Sequence, residues 1–185
     1  MLSNQTLSYP SRMTSILMDG LAIIGSSFII ALFAPVAIPL PFTPIPLALQ
    51  PQVVLVLATL LGSRRGALSV ITYISQGLMG LPVFAGGAAG VAVLAGPRGG
   101  YLMGYVAAAY LTGWIMERAK ERTMSRCFLA MAAGSLAIYA CGMSFLAQFV
   151  GVVNSFLLGV LPFLIGDFLK TLLAVNGLKR IGFFK

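Results

Sequence analysis

Asp167 and Lys170 are the only charged residues between positions 152 and 178. They are three residues apart, so on a helix they lie on the same face. Counting the helix rise back from Lys179 places Asp167 roughly 18 Å into a hydrocarbon layer about 30 Å thick. An ionisable residue at that depth marks a ligand, ion or proton site more often than a purely structural one. We therefore predict a functional pair, with an ion pair that only holds helices together as the alternative.

The composition indicates the surroundings of this pair. The 185 residues are 59% hydrophobic and 9% charged, with a mean hydropathy of +0.98, whereas an average soluble domain has about 25% charged residues. We predict an all-α integral membrane protein, residues 1–185 forming a single polytopic domain in the cell membrane. The chain has no histidine, and Cys127 and Cys141 have no metal-motif neighbours, so we predict no metal site and no cofactor and interpret both cysteines as small core thiols.

The basic residues are distributed between apolar runs, so the net charge of +8 does not indicate a nucleic-acid partner. No charge occurs from residue 20 to 63 or from 66 to 97, and each gap is long enough for two short crossings. Division at the Pro-rich stretch 39–51 and the Gly-rich stretch 80–100 predicts six transmembrane helices. Their predicted ranges are 15–37, 51–63, 66–80, 99–117, 127–150 and 155–178.

The distribution of positive charge tests this number of helices. With six spans, ten of the twelve basic residues fall in the two termini and in the second-to-third and fourth-to-fifth loops, which all share one side. These ten are Arg12, Arg64, Arg65, Arg118, Lys120, Arg122, Arg126, Lys179, Arg180 and Lys185. The positive-inside rule then predicts that the N- and C-termini are both cytoplasmic. Five or seven spans would place basic residues on both faces.

Two irregular segments lie on the predicted outer side. The first, residues 38–46, has a proline at nearly every second position, which forbids regular helix and favours rigid extended chain. The second, residues 80–101, is rich in glycine yet apolar, so it must be covered by protein or line a cavity. We predict ordered outer loops covering a ligand pocket. The alternative is that proline and glycine only end the helices at the membrane interface.

Five motifs of the chain together resemble the BioY family. They are PFTPIP at 41–46 with Leu49 and Gln50, GSRRG at 62–66, GLPVFAGG at 80–87, GPRGGY at 96–101 and LPFLIGDFLK at 161–170. BioY proteins are the biotin-specific substrate-binding (S) components of energy-coupling factor (ECF) transporters. The resemblance implies a six-helix protein that captures biotin outside the cell, with a membrane scaffold (T) subunit and two cytoplasmic ATPases as partners. It therefore implies a transporter subunit and not an enzyme.

Two positions depart from the family pattern. Arg98 stands where the family usually has threonine in the motif Gly-Pro-Thr-Gly-Gly-Tyr, and Phe145-Leu146 stands where a tryptophan-leucine pair is usual. The added guanidinium of Arg98 either reaches the carboxylate of the substrate or points to solvent.

The chemistry of biotin assigns roles to the matching residues. Biotin has a ureido group, an apolar thioether ring and an ionised valerate tail. Asp167 suits the ureido N–H pair, Gln50 completes the ureido contacts, and Lys170 stabilises the charge of Asp167 and donates to the ligand. Arg98 adds a second cation, which leaves one positive charge for one carboxylate. The remaining predicted substrate-binding residues supply aromatic surface or close backbone approach, namely Phe42, Phe84, Tyr101, Tyr139, Gly86 and Gly87.

Several of these residues also have a purely structural interpretation. Gln50 is equally well explained as a cap of the second helix, and Arg98 as an anchor at the lipid headgroups. Tyr101 and Tyr139 are alternatively belt or core aromatic residues, an interpretation that is favoured for Tyr139. Gln76 and Asn154, near predicted helix ends, are interpreted as caps.

Energy for uptake must come from a partner, because the chain contains no P-loop motif. Small residues at four-residue spacing, Ala22 with Ser26 and Ser27 with Ala31, predict close-packing faces on the first helix. The family resemblance assigns this face to the scaffold subunit, and packing within the chain is an equal alternative. Other possibilities are a homo-oligomer, an S component for a different small vitamin, a membrane-embedded enzyme using Asp167 and Lys170, and a structural subunit without a ligand.

Overall fold

The computed structural model describes residues 12–184, and the predictions for the first eleven residues and for Lys185 lie outside this range. The described chain forms eight α-helices and one antiparallel pair of two-residue strands. In chain order these are α1 (Arg12–Leu32), β1 (Ala37–Ile38), β2 (Leu47–Ala48), α2 (Gln50–Leu61), α3 (Ser63–Leu78), α4 (Val91–Ala95), α5 (Gly99–Glu117), α6 (Met124–Val150), α7 (Val152–Gly159) and α8 (Leu161–Arg180).

Three helical segments of the described chain are long and apolar enough to cross a membrane, namely Met13–Leu32, Met124–Val150 and Val152–Arg180. Large apolar side chains point outward along them, including Phe28, Leu136 and Leu173, the last with 72% of its surface exposed. An apolar surface of this extent requires lipid around it. The prediction of an all-α membrane protein is confirmed, apart from the short strand pair.

The helix ends differ from the predicted ranges for local reasons. α1 ends at Leu32 and not at residue 37, since Pro35 cannot continue the helix and the chain turns into β1. α2 and α3 are separated by Gly62 alone, whose φ of 86° turns the chain. Ser63 then begins α3 by donating its N–H and its hydroxyl to the Glu117 carboxylate, at 2.8 and 2.7 Å.

The predicted helix at 155–178 is interrupted. α7 and α8 are separated at Val160, because Pro162 has no N–H to donate to the carbonyl of Leu158. The Thr43 hydroxyl of the Pro-rich segment donates to this freed carbonyl at 2.8 Å. The Tyr101 hydroxyl of α5 donates to the next carbonyl, that of Gly159, at 2.9 Å. The break is therefore stabilised by two distant parts of the chain.

Glycines bring α5 and α6 into close contact. A Cβ on Gly104 would lie 3.0 Å from the Cα of Ile138, and a Cβ on Gly142 would lie 2.4 Å from the ring of Tyr101. Only glycine leaves room for such approach between helices. This packing holds Tyr101 on α5 beside Tyr139 on α6, at the cavity described next.

Candidate functional site

An open cavity lies where the two irregular segments meet α2, α5, α6 and α8, with about 750 Å³ of empty space that includes the solvent at its mouth. The lining is mostly apolar, with few polar groups. It consists of Ile45, Pro46, Ala48, Gln50, Pro51, Phe84, Ala85, Val93, Arg98, Tyr101, Leu102, Tyr105, Ser135, Ile138, Tyr139, Gly159, Phe163, Asp167 and Lys170.

Asp167 and Lys170 of α8 form an ion pair inside this cavity. Lys170 Nζ lies 2.9 Å from Asp167 Oδ1, and the two side chains are 17% and 16% exposed. The same Nζ donates to the carbonyl of Ala48 in β2 at 2.9 Å. Tyr139 of α6 donates its hydroxyl to the other carboxylate oxygen, Oδ2. Tyr139 is thus a cavity residue and not a belt aromatic. The carboxylate accepts from α6 and α8, and Lys170 connects it to β2.

Gln50 lies at the start of α2 and is 1% exposed. Its Nε2 donates to the Tyr73 hydroxyl at 2.9 Å and to the Val83 carbonyl at 3.2 Å. The carbonyl partner determines the orientation of the amide, so the nitrogen faces Val83 and the oxygen faces away from it. No described residue donates a hydrogen bond to that oxygen, and the side chain makes no cap bond to α2. The structure favours a cavity residue over the cap.

Arg98 joins the two irregular segments above the cavity. Its Nε donates to the Pro44 carbonyl at 3.1 Å and its Nη1 to the Ala85 carbonyl at 3.4 Å. Pro44 belongs to the Pro-rich segment and Ala85 to the Gly-rich segment. Arg98 therefore lies at the cavity roof, half-buried, and its anchoring groups are protein carbonyls.

Two aromatic residues form walls of the cavity. Tyr101 is 7% exposed, and its hydroxyl donates a hydrogen bond to the Gly159 carbonyl. Phe84 is 1% exposed and packs edge-to-face on Tyr73, with the ring centroids 5.7 Å apart. Gly77 makes room for it, because a Cβ there would lie 2.1 Å from the Phe84 ring. Tyr101 consequently offers a ring surface and not a donor.

Three predicted substrate-binding residues do not line the cavity. Phe42 is 57% exposed, because the Pro-rich segment directs it outward while Ile45 and Pro46 face inward. Gly86 and Gly87 have φ of 76° and 75° and form the turn between Phe84 and Ala88, whose backbones pair. These two glycines position Phe84 and Ala85 for the lining instead of joining it.

The predicted partner-contact face of α1 is largely used within the chain. Ser26 and Ser27 are 6% and 0% exposed, and Gln76 of α3 donates to the Ser27 hydroxyl at 3.1 Å. Ala22 and Ala31 are half-buried. Ser26 and Ser27 are thus inaccessible to another subunit in this conformation, since α3 packs against α1. Asn154 donates to the Val150 carbonyl of the preceding helix at 3.0 Å.

Two polar lining residues, Tyr105 and Ser135, were not predicted from the sequence. Tyr105 lies four residues after Tyr101, and Ser135 lies four residues before Tyr139. Residues at this spacing share a helix face. Including the residue one helical turn away from Tyr101 and from Tyr139 would have identified both.

The arrangement suits a small organic ligand with both a polar head and an apolar body. The carboxylate of Asp167 accepts hydrogen bonds, the amide oxygen of Gln50 does the same, and aromatic rings surround the space between them. Within residues 12–184 no group of three side chains could hold a metal ion. Binding by hydrogen bonds and apolar contact is the chemistry that these side chains support.

Known proteins are similar to this chain in sequence and in fold. The model of the BioY family matches residues 7–182. The chain is 39% identical to a probable biotin transporter BioY of Pyrococcus horikoshii, over 75% of this chain and 81% of the relative. It is 31% identical to a biotin transporter BioY of Lactococcus lactis, over 98% and 94%.

A solved structure has the same fold at low sequence identity. It is a crystal structure of the S-component for biotin from an ECF-type ABC transporter, with a TM-score of 0.83, 24% identity and 94% of each chain covered. The fold agreement extends over nearly the whole chain, as does the family match, and the chain therefore belongs to the BioY family.

Proposed function

We propose that this multi-pass membrane protein binds biotin and takes it up as the substrate-specific S component of an ECF-type transporter. The observation that carries the proposal is the Asp167–Lys170–Tyr139 cluster, buried in a mostly apolar cavity. The names of relatives 31–39% identical to this chain support biotin as the ligand. As a transporter component it is not an enzyme, and its family argues against catalysis by Asp167 and Lys170.

The ureido ring lies beside Asp167 in the proposed complex. Each carboxylate oxygen already accepts one bond, from Lys170 or Tyr139, and retains lone pairs for the two ureido N–H groups. The thioether ring contacts apolar surface of the lining, to which Phe84, Tyr101 and Ile138 belong. A well-placed acceptor for a ligand N–H discriminates strongly against analogues that lack it, because the carboxylate is then left unpaired.

The proposed topology has six crossings, formed by α1, α2, α3, α5, α6 and the α7–α8 pair, with both termini cytoplasmic. Contacts between the predicted cytoplasmic ends support it. Arg65 at the start of α3 pairs with Asp19 of α1 at 2.7 Å, and Ser63 is bonded to Glu117 at the end of α5. The outer segments, with α4, then form the cover over the pocket.

The proposed partners are the scaffold subunit and two cytoplasmic ATPases. A P-loop motif is missing from the sequence, so ATP hydrolysis must occur in other chains. The surface of α1 that faces outward is apolar, with Leu21, Ile24 and Phe28 among its exposed residues. This surface, and not Ser26 or Ser27, is the part of α1 that lipid or a scaffold subunit contacts.

Equilibrium binding tests the proposal. We expect purified protein in nanodiscs to bind radiolabelled biotin saturably, with unlabelled biotin displacing it and a panel of other small vitamins not displacing it. Saturable binding of another vitamin without biotin binding would favour the alternative of a different S component. No saturable binding of any of these ligands would contradict the proposal.

A further inference from the structure

Arg98 is the cavity cation without a carboxylate partner among the described residues. The chain has four acidic side chains. Asp167 pairs with Lys170, Asp19 with Arg65, and Glu117 with Ser63 at the far end of α5. The fourth, Glu121, lies in the segment between α5 and α6. Lys170 and Asp167 compensate each other, so the cavity lining has one excess positive charge, on Arg98.

The guanidinium has donors to spare. It has five N–H groups, and its partners among the described residues are the carbonyls of Pro44 and Ala85, to which Nε and Nη1 donate. Lys170 has three N–H groups, two of which go to Asp167 and Ala48. Arg98 therefore has the larger remaining capacity to bind an anion, in a planar fork that matches a carboxylate.

Arg98 also occupies the mouth of the site. Besides the main cavity it lines an open cleft with Pro44, Ala92, Val93, Gly96 and Pro97. Arg98 and Val93 line both spaces, so they lie where this cleft meets the cavity that contains Asp167 and Lys170. A ligand with its polar ring against Asp167 would direct its tail toward the roof.

From these contacts we infer that Arg98 is the specificity-determining residue that selects a ligand with an anionic tail, by binding its carboxylate at the cavity roof. The inference rests on the proposed function and deepens it. The charge of an unpaired guanidinium acts more strongly in a half-buried site than in water. An anionic group therefore gains electrostatic binding free energy there that a neutral group does not. Because Arg98 donates to both irregular segments, the bound carboxylate also stabilises their arrangement at the roof.

The test compares biotin with its neutral carboxamide in nanodisc binding assays. The wild type is expected to prefer biotin about tenfold or more, the contribution of a charge-assisted hydrogen bond. Arg98→Thr should reduce this preference to within about threefold by weakening biotin binding alone. Lys170→Gln should weaken both ligands and leave the preference intact. Arg98→Lys keeps the charge without the bridge, so it should retain a preference for biotin while biotin dissociates faster.

Four results would overturn the inference. They are a wild type without preference for biotin, a full preference in Arg98→Thr, loss of the preference in Lys170→Gln, and loss of carboxamide binding together with biotin binding in Arg98→Thr. The last would mean that Arg98 supports the roof without selecting the tail. A wild type that binds neither ligand would refute the proposed function itself, and the inference with it.

Discussion

At the scale of single residues, the site contains very few ionisable groups, and their charges largely compensate each other. Asp167 is the one acidic side chain in the cavity lining, and Lys170 and Tyr139 donate to its two oxygens. A buried ion pair contributes little net stability, because desolvation offsets the attraction. The pair is therefore better explained by ligand recognition than by fold stability.

Asp167→Asn removes the charge and one of the acceptors while keeping the size of the side chain. We expect biotin affinity to fall at least tenfold, as charge-assisted hydrogen bonds of about 1.5–3 kcal/mol are lost and Lys170 is left unpaired. Asp19→Asn is the matched control, since Asp19 is half-exposed and pairs with Arg65 outside the cavity. Equal affinities for the two variants, measured in nanodiscs, would return Asp167 to a structural role.

At the scale of elements, the broken helix α7–α8 is the feature that joins the outer segments to the cavity. Pro162 frees the Leu158 carbonyl, and the Gly159 carbonyl follows it in the break. Thr43 and Tyr101 donate to these carbonyls from 115 and 58 residues away. Thr43 also accepts from the Ile45 N–H at 3.2 Å, so one hydroxyl orders the Pro-rich segment and holds the break. An unsatisfied carbonyl at membrane depth would be costly.

Thr43→Val deletes this hydroxyl with little change of shape. We expect the free energy of unfolding to fall by about 1–3 kcal/mol, because the Leu158 carbonyl is left unsatisfied. Thr72→Val is the control, since the Thr72 hydroxyl donates to Leu68 one turn back on an exposed helix face. The free energy of unfolding is measured for both variants in detergent. An equal loss in the two variants would show that Thr43 has no special role at the break.

At the scale of the whole molecule, asymmetry between the two ends defines the orientation. One end carries the basic clusters, including Arg118 over the Trp114 ring at 4.0 Å and Arg122 over Phe183 at 5.0 Å. The other end carries the Pro-rich and Gly-rich segments and Arg98. Because basic residues are retained on the cytoplasmic side, this asymmetry supports the proposed orientation, in which the cavity opens outward.

Single-cysteine labelling tests this orientation. In a background with Cys127→Ala and Cys141→Ala, Phe42→Cys should react with a membrane-impermeant maleimide on intact cells, because Phe42 is exposed in the Pro-rich segment. Lys120→Cys, in the segment between α5 and α6, should react only after permeabilisation. The reverse pattern would place the cavity mouth in the cytoplasm.

Sequence alone was sufficient where the physics is local or additive. The scarcity of charge determines the membrane environment, since each charge in hydrocarbon is costly and the whole composition contributes. The Asp167–Lys170 contact was equally predictable, because residues three apart are neighbours on a helix face. The family motifs also identified Gln50, Phe84, Arg98 and Tyr101, all of which line the cavity. Each of them lies within a short, recognisable sequence pattern.

The tertiary structure decided what depends on the register between distant segments. It turned Phe42 outward, buried Ser26 and Ser27 against neighbouring helices, and gave Tyr139 its bond to Asp167 across 28 residues. It placed Arg98 between the Pro44 and Ala85 carbonyls. No local pattern specifies such contacts, because they arise only when glycine-mediated helix packing brings the segments within hydrogen-bond distance, and that distance is met or missed by about an ångström.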